Sequence, residues 1–404
     1  MASKQLKLMN DLYASIKERM SKPGLDLATN RDIVENLHLA ATEPEAVTYA
    51  EVDADGVPAL WCIPHGSDPA RVLLHSHSGG SVVTSMRTDR KAIGDIAKAV
   101  GVRALVLNFR RAPEHKFPAQ IDDVEKAYRW LLAQNIRPEN IASIGHSIGG
   151  NLAVNRAVTL RDKGAPLPAA ILSVSPWYDM EMKNRTLESN AETDALLTRP
   201  ALEMFRESWI GGTGVARNDP RVNMLYADLT GLPPIMVYYG AHEMLVGEAI
   251  EFAKRANDAG VDVTLRSLPE GQHNFILGAG RVPEVDRAIE EIGRWLRSKL
   301  GLAVSVMEDK RIYLLAELTI RPGYLEEVKA ILKESLIPTL QEPGCEALYE
   351  TGRKDDPHKL VFFEVFSSAA AHEFHLEQDY TKRVFASLEG KVSGVPTLTK
   401  LSAL

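Results

Sequence analysis

Ser147 stands in the run Gly145-His146-Ser147-Ile148-Gly149, where an apolar segment (residues 141–144) gives way to a helix-like pattern over residues 149–159. Small residues on both sides let the backbone turn tightly, which lifts a hydroxyl above a sheet edge and aims a helix N-terminus at it. Such a serine can attack a carbonyl if three more parts are supplied: a base for its proton, a carboxylate to orient the base, and donors for the oxyanion. His77-Ser78-Gly79-Gly80 follows a strand-like run from Arg71, and the N–H groups of Gly79 and Gly80 can face a site without side-chain obstruction. The Ile148 N–H, at the start of the helix behind the serine, is the third donor. His273, in "LPEGQHNF" after the last sheet-like strand of that series, is placed to act as base, and Glu243, in "VYYGAHEMLVGEA", follows another strand and is the best-placed acid. Serine, acid and histidine in that chain order form one of the known triad arrangements. The expected chemistry is acyl transfer, with activity falling on the acid side near the ordinary imidazole value of roughly 6.5.

Elements must bring these residues together. "RVLLHSH", "RALVLNF", "IASIG", "AAILSVS", "PIMVYYG" and "VDVTLRSLP" are short apolar runs, most of them separated by amphipathic helix-length stretches such as residues 120–135 and 247–259. This rhythm predicts an α/β domain with a mostly parallel sheet. Residues 46–64 alternate around Asp55-Gly56 and predict a hairpin. A helix over residues 284–300 ends at Gly301, and residues 301–310 read as a connection. Then "RIYLLAELTI", a helix over 323–339, "CEALYETGR", "KLVFFEVF", one helix over 367–388 and "TLTKLSA" follow in the order β-α-β-β-α-β, a ferredoxin-like α+β arrangement. The domains expected are an N-terminal helical cap (1–45), the α/β domain (46–302) and the ferredoxin-like domain (310–404).

The chain has 404 residues, 45% of them hydrophobic, enough for two cores. A net charge of −7 with interspersed signs, and no basic stripe, excludes nucleic acid as an expected partner. The N-terminus is amphipathic (Leu6, Leu8, Met9, Leu12, Ile16) and does not read as a signal peptide, and no stretch approaches a membrane span. Cys62 and Cys345 lie far apart, so a cytoplasmic protein without disulfides is expected. His372 and His375, three apart on a predicted helix, have ligand-pair spacing, but with no third ligand nearby no metal or cofactor is expected. His75 and His146 are read as packing or hydrogen-bonding beside the site rather than transferring protons.

With those motifs in hand, residues 30–300 resemble the hormone-sensitive-lipase family of α/β-hydrolases. His77-Ser78-Gly79-Gly80 matches its H-G-G-G oxyanion motif, residues 145–150 its G-D-S-A-G-G elbow, "FRRAPEHKFPA" its Y-R-L-A-P-E segment, and "SPWYDM" a further family segment. Ser78 replaces the first motif glycine, leaving the donors at Gly79 and Gly80 in place. The family's D-x-L-x-D reads Glu243-Met244-Leu245-Val246-Gly247, so glutamate replaces aspartate and the second acid is lost. The resemblance implies a bracing role for Glu114 and His115. Trp177 and Tyr178, with the N-terminal helix, are candidates to line an acyl pocket.

Residues 310–404 resemble the antibiotic-biosynthesis-monooxygenase domain through "LTIRPGYLEEVKAIL", "EPGCEALYE" and "DDPHKLVFFEVFSSAAAHEFH". Phe366 falls where some active members carry tryptophan. Relatives that oxidise aromatic polyketides or degrade haem, and the family's habit of pairing through sheets, imply either an oxidising or an assembling domain. The expectation is a serine carboxylesterase acting on small short- to medium-chain esters, assembled through its C-terminal domain as a homodimer or higher homo-oligomer. Its rivals are a bifunctional oxygenase-hydrolase acting on aromatic compounds and a non-catalytic receptor on a hydrolase fold.

Overall fold

A computed structural model describes residues 2–303, 311–342 and 344–401. The chain divides near residue 304 into two compact units. Part of the connection expected over residues 301–310 (304–310), and the end of the last expected strand (402–403), lie outside the described residues.

In the first unit the N-terminal segment forms α1 (Lys4–Met20) and α2 (Leu27–Glu35). Ser3 caps α1 by accepting from the Leu6 N–H at 3.0 Å. The buried stripe of α1 is Leu6, Met9, Tyr13 and Ile16. Leu8, counted among the apolar positions by its type, is exposed, and Tyr13 takes a core place that composition did not assign. The expected hairpin is present as β1 (Val47–Asp53) and β2 (Pro58–Pro64), with Asp55 and Gly56 both at positive φ in its turn.

The remaining elements alternate: β3 (Asp68–Ser76), α3 (Met86–Val100), β4 (Val102–Leu107), α4 (Ala119–Ala133), β5 (Ile141–His146), α5 (Ile148–Asp162), β6 (Ala170–Val174), α6 (Thr186–Ser189), α7 (Arg199–Ile210), β7 (Ile235–Gly240), α8 (Val246–Asp258), β8 (Val263–Leu268) and α9 (Pro283–Lys299). They build one eight-stranded sheet in the order β1-β2-β4-β3-β5-β6-β7-β8. β1, β2 and β4 pair antiparallel, and all further neighbours are parallel. Helices cover both faces, which is why β5 and β6 are buried throughout rather than alternating. Along β3, Leu73 joins a cluster with Ile93 of α3 and Ile292 of α9, while Val72 and Leu74 join another with Val124 of α4 and Leu152 of α5. The strands therefore end at one edge of a rigid, two-sided core, and the candidate residues lie on the loops there.

The second unit is a four-stranded antiparallel sheet in the order β10-β11-β9-β12: β9 (Ile312–Thr319), β10 (Cys345–Gly352), β11 (Lys359–Phe366) and β12 (Thr397–Leu401). α10 (Leu325–Leu340), α11 (Ala369–Glu377) and α12 (Asp379–Leu388) complete the ferredoxin-like arrangement. The single helix expected over 367–388 is two, broken at Gln378, which is extended at ψ 140. The break re-aims the chain: α11 buries none of its residues, whereas Val384 and Leu388 of α12 join Val328, Leu360 and Phe362 in the small core. By alternation, Leu315, Tyr349, Val361 and Phe363 lie on the opposite sheet face, where Tyr349 is exposed and stacks near Phe363.

Candidate active site

β5 delivers Ser147 at a sharp bend with φ 55 and ψ −126, immediately before α5. A β-carbon on Gly145 would lie 2.1 Å from the Gly149 carbonyl oxygen, and one on Gly149 would lie 2.0 Å from that of Ser76. Glycine at both positions is thus a condition of the turn. The strained serine backbone, which costs about 1–3 kcal/mol, is held by the Ser147 N–H donating to Val174 O at 3.0 Å.

The His273 Nε2 lies 3.0 Å from Ser147 Oγ, and its Nδ1 lies 2.9 Å from Glu243 Oε2. With Nδ1–H donating to the carboxylate, Nε2 is left to accept the serine proton. All three side chains are buried. Burial pushes the His273 imidazole down to about 4, against the opposing influence of Asp194. This corrects the expectation of an ordinary imidazole: water is excluded around the ring, so it stays an unprotonated base well below neutral pH. Burial, and next Asp194, push the Glu243 carboxyl well above its usual range. Glu248 does not reach the histidine; its Oε1 accepts from the Tyr178 N–H at 2.5 Å.

Asp194 is a site residue that sequence reasoning missed. It is buried, accepts from the Leu196 and Leu197 N–H groups at 2.8 Å each, and through Oδ2 accepts from Met244 N–H at 2.8 Å. It therefore fixes the backbone beside Glu243, where the acid motif had lost its second carboxylate. Tyr13 was missed in the same way: its hydroxyl donates to the Asn274 carbonyl at 2.9 Å, tying α1 to the histidine loop. Neither lies in a recognisable local motif.

The loop after β3 holds Gly79 and Gly80 at φ 88 and 61. A β-carbon on Gly79 would meet Val83 O at 2.2 Å, and one on Gly80 would meet the Phe205 ring at 2.6 Å. His77 is part of the loop's scaffold: its ring stacks on Phe109 at 4.0 Å, and its Nδ1 lies 3.0 Å from Thr84 Oγ1. Burial lowers it to about 3, so it is uncharged at neutral pH. Ser78, Gly79 and Gly80 share a cavity of about 40 Å³ with Ser147 and His273. The N–H groups of Gly79, Gly80 and Ile148 donate to no acceptor among the described residues.

Met20, Val34 and Leu37 of the N-terminal segment, with Leu197 and Phe205, wall that cavity. Trp177 lines it as well, but Tyr178 does not: its ring packs 4.1 Å from Phe252 on the other side of the sheet. Glu114 is ion-paired to Arg31 at 2.6 Å, which fastens α2 to the loop before α4. His115 is exposed on that loop, with its carbonyl accepting from Gln120. In the second unit His372 and His375 flank Phe366, and the His375 Nδ1 is 2.8 Å from Glu342 Oε1. Among the described residues they are not part of any three-ligand group; the single such group is His75, Asp89 and His146.

Residues 73–277 match the family model described as alpha/beta hydrolase fold, and residues 311–387 match antibiotic biosynthesis monooxygenase. The chain is similar to an acetyl-hydrolase of Streptomyces hygroscopicus, 33% identical over 303 residues, covering 70% of this chain and 99% of that protein. It is similar to a carboxylesterase of Mycobacterium tuberculosis, 32% identical over 57% of this chain and 73% of that protein. Among solved structures, an esterase from the bacterial hormone-sensitive lipase family superposes with a TM-score of 0.71 at 36% identity, covering 74% of this chain and all of that one.

Proposed function

The chain belongs to the α/β-hydrolase family of the hormone-sensitive-lipase type, with a C-terminal antibiotic-biosynthesis-monooxygenase domain, and from that premise we propose that it is a serine carboxylesterase working through Ser147, His273 and Glu243. The single observation that carries this reading is the unbroken chain of hydrogen bonds from Ser147 Oγ through the imidazole to Glu243, opening into a cavity. Ser147 Oγ attacks the ester carbonyl while His273 Nε2 takes its proton. The developing oxyanion is held by the N–H groups of Gly79, Gly80 and Ile148. His273 then protonates the leaving alcohol as the acyl-enzyme forms, and next deprotonates the water that releases the acid.

A cavity of about 40 Å³ with apolar walls favours small acyl groups. It has room for about three water-sized groups, so the short end of the expected chain-length range fits best. The test is stoichiometric labelling of Ser147 by an organophosphonate, with Ser147→Ala lowering turnover of p-nitrophenyl acetate by roughly 10⁶-fold. Wild-type protein that neither hydrolyses activated esters nor takes the label would sink the reading and favour a receptor.

For the C-terminal domain we propose assembly. An apolar sheet face carrying Leu315, Tyr349, Val361 and Phe363 is stabilised when covered, and a second copy of the chain supplies the same surface. The bifunctional alternative has its own support in a cavity of about 600 Å³ between the other sheet face and the helices, lined by Phe362, Val384 and Phe385 with Glu364 and His375. Oxygen uptake with aromatic phenols or quinols decides for oxidation. No helix among the described residues is long and apolar enough to cross a membrane. The cytoplasmic location proposed is supported by Cys62 and Cys345 being free thiols.

A further inference from the structure

We propose that Asp89 is a positioning residue for ester hydrolysis, its carboxylate joining the strand that ends in the nucleophile to the strand that leads into the oxyanion loop. The inference rests on the esterase reading and concerns three side chains that no step above uses. Asp89 Oδ2 accepts from His75 Nε2 at 2.7 Å and from His146 Nε2 at 2.5 Å. His146 is the last residue of β5 and the peptide neighbour of Ser147; His75 is on the adjacent parallel strand β3, two residues before His77. Asp89 itself lies in the first turn of α3, the helix that the oxyanion loop runs into. One carboxylate thus fastens three points: the strand before the loop, the helix after it, and the strand carrying the nucleophile.

The surroundings make this fastening exclusive. All three side chains are buried, and the cavity that His75 and His146 line with Ile93, Ile96, Leu172 and Ile276 is about 10 Å³, space for one water at most. Asp89 Oδ1 has no partner, so the two imidazole N–H groups are its only satisfied contacts among the described residues. Burial opposes ionisation of Asp89, yet the charge and hydrogen bond of His146, then those of His75, hold it well below the usual carboxylate range. Charge-assisted hydrogen bonds in such a dry site are stiff and short. A metal explains the geometry less well. Ligand atoms around a tetrahedral zinc stand roughly 3.3 Å apart, farther than Asp89 Oδ2 stands from either imidazole nitrogen, and metal-bound imidazoles normally use their second nitrogen. Here both Nδ1 atoms lack a partner.

A nucleophile displaced by about 1 Å from its oxyanion donors costs on the order of 10²-fold. Asp89→Ala removes the fastening, whereas Asp89→Asn keeps one oxygen able to accept both N–H groups. Kinetics on p-nitrophenyl acetate, corrected for active fraction by phosphonate titration, should show kcat of Asp89→Ala reduced roughly 10²-fold with KM changed less than about twofold. Affinity for a boronic acid mimic of the tetrahedral state should fall in parallel, and Asp89→Asn should recover kcat to within about fivefold of wild type. If Asp89→Ala does not fold, His75→Leu, which leaves the bond from His146 in place, should lower kcat about tenfold with KM unchanged. Wild-type kcat in a folded Asp89→Ala or His75→Leu protein, or a stoichiometric metal in purified wild type by plasma mass spectrometry, overturns the proposal. A wild type inactive on all activated esters overturns the esterase reading and this inference with it; an active wild type indifferent to Asp89 overturns this inference alone.

Discussion

Replacing Glu243 by alanine removes the carboxylate that the His273 Nδ1–H meets at 2.9 Å in a site shielded from water. Two losses follow. The imidazole is free to place its proton on the nitrogen facing Ser147, where it blocks proton acceptance, and the imidazolium that forms during attack loses its neighbouring negative charge. Losing the orienting acid in a serine triad lowers turnover by about 10⁴-fold, equivalent to roughly 5.5 kcal/mol of transition-state stabilisation. Neither neighbouring acid is free to take its place. Glu248 is engaged by Tyr178 N–H, and Asp194 by the N–H groups of Leu196, Leu197 and Met244. We therefore expect kcat on p-nitrophenyl acetate to fall 10³- to 10⁴-fold in Glu243→Ala, with phosphonate labelling slowed comparably and the thermal midpoint little changed. Glu243→Asp, one methylene shorter, should recover part of the activity by a small loop shift. A Glu243→Ala enzyme with kcat within tenfold of wild type would refute the reasoning and make Asp194 the orienting group.

Four further outcomes are expected. With His273 held at about 4 by burial, kcat/KM for the free enzyme should stay flat from pH 7 to about 5 and drop as pH falls through about 4; a limb centred near 6.5 in a pH-rate profile would show a solvated ring. The same group should weaken the fold as pH falls from about 6.5 to about 4, because the unfolded imidazole binds its proton first, which denaturant titrations at several pH values can read. Phe205→Ala should open the cavity beside Gly80 and raise the hexanoate-to-acetate ratio of kcat/KM by about tenfold or more; an unchanged ratio places the acyl chain elsewhere. A stop after residue 304 should leave esterase activity and reduce the sedimenting mass; an unchanged oligomer would move the interface to the hydrolase unit.

What was legible in the sequence follows the reach of the forces involved. The strand rhythm, the elbow and the glycine loop are local: clashes within a few residues, such as Gly145 against Gly149, demand particular residue types at particular spacings. Even the long-range partners Glu243 and His273 were legible, because each sits directly after a strand that must end at the same sheet edge. Asp194, Tyr13 and Asp89 were not. Each acts across the fold, on a loop or helix packed against the strand ends, and nothing near it in sequence records what it will meet. The histidine at position 146 illustrates the limit: by its neighbours it is a residue of the elbow, while its ring is committed to a carboxylate on α3, 57 residues away. The break at Gln378 has the same origin, since the helical pattern of residues 367–388 is continuous and only packing against the small sheet divides it. The chemistry of this site is thus written locally, and the framework that holds its atoms to within hydrogen-bonding distance is written in contacts that only the folded chain brings together.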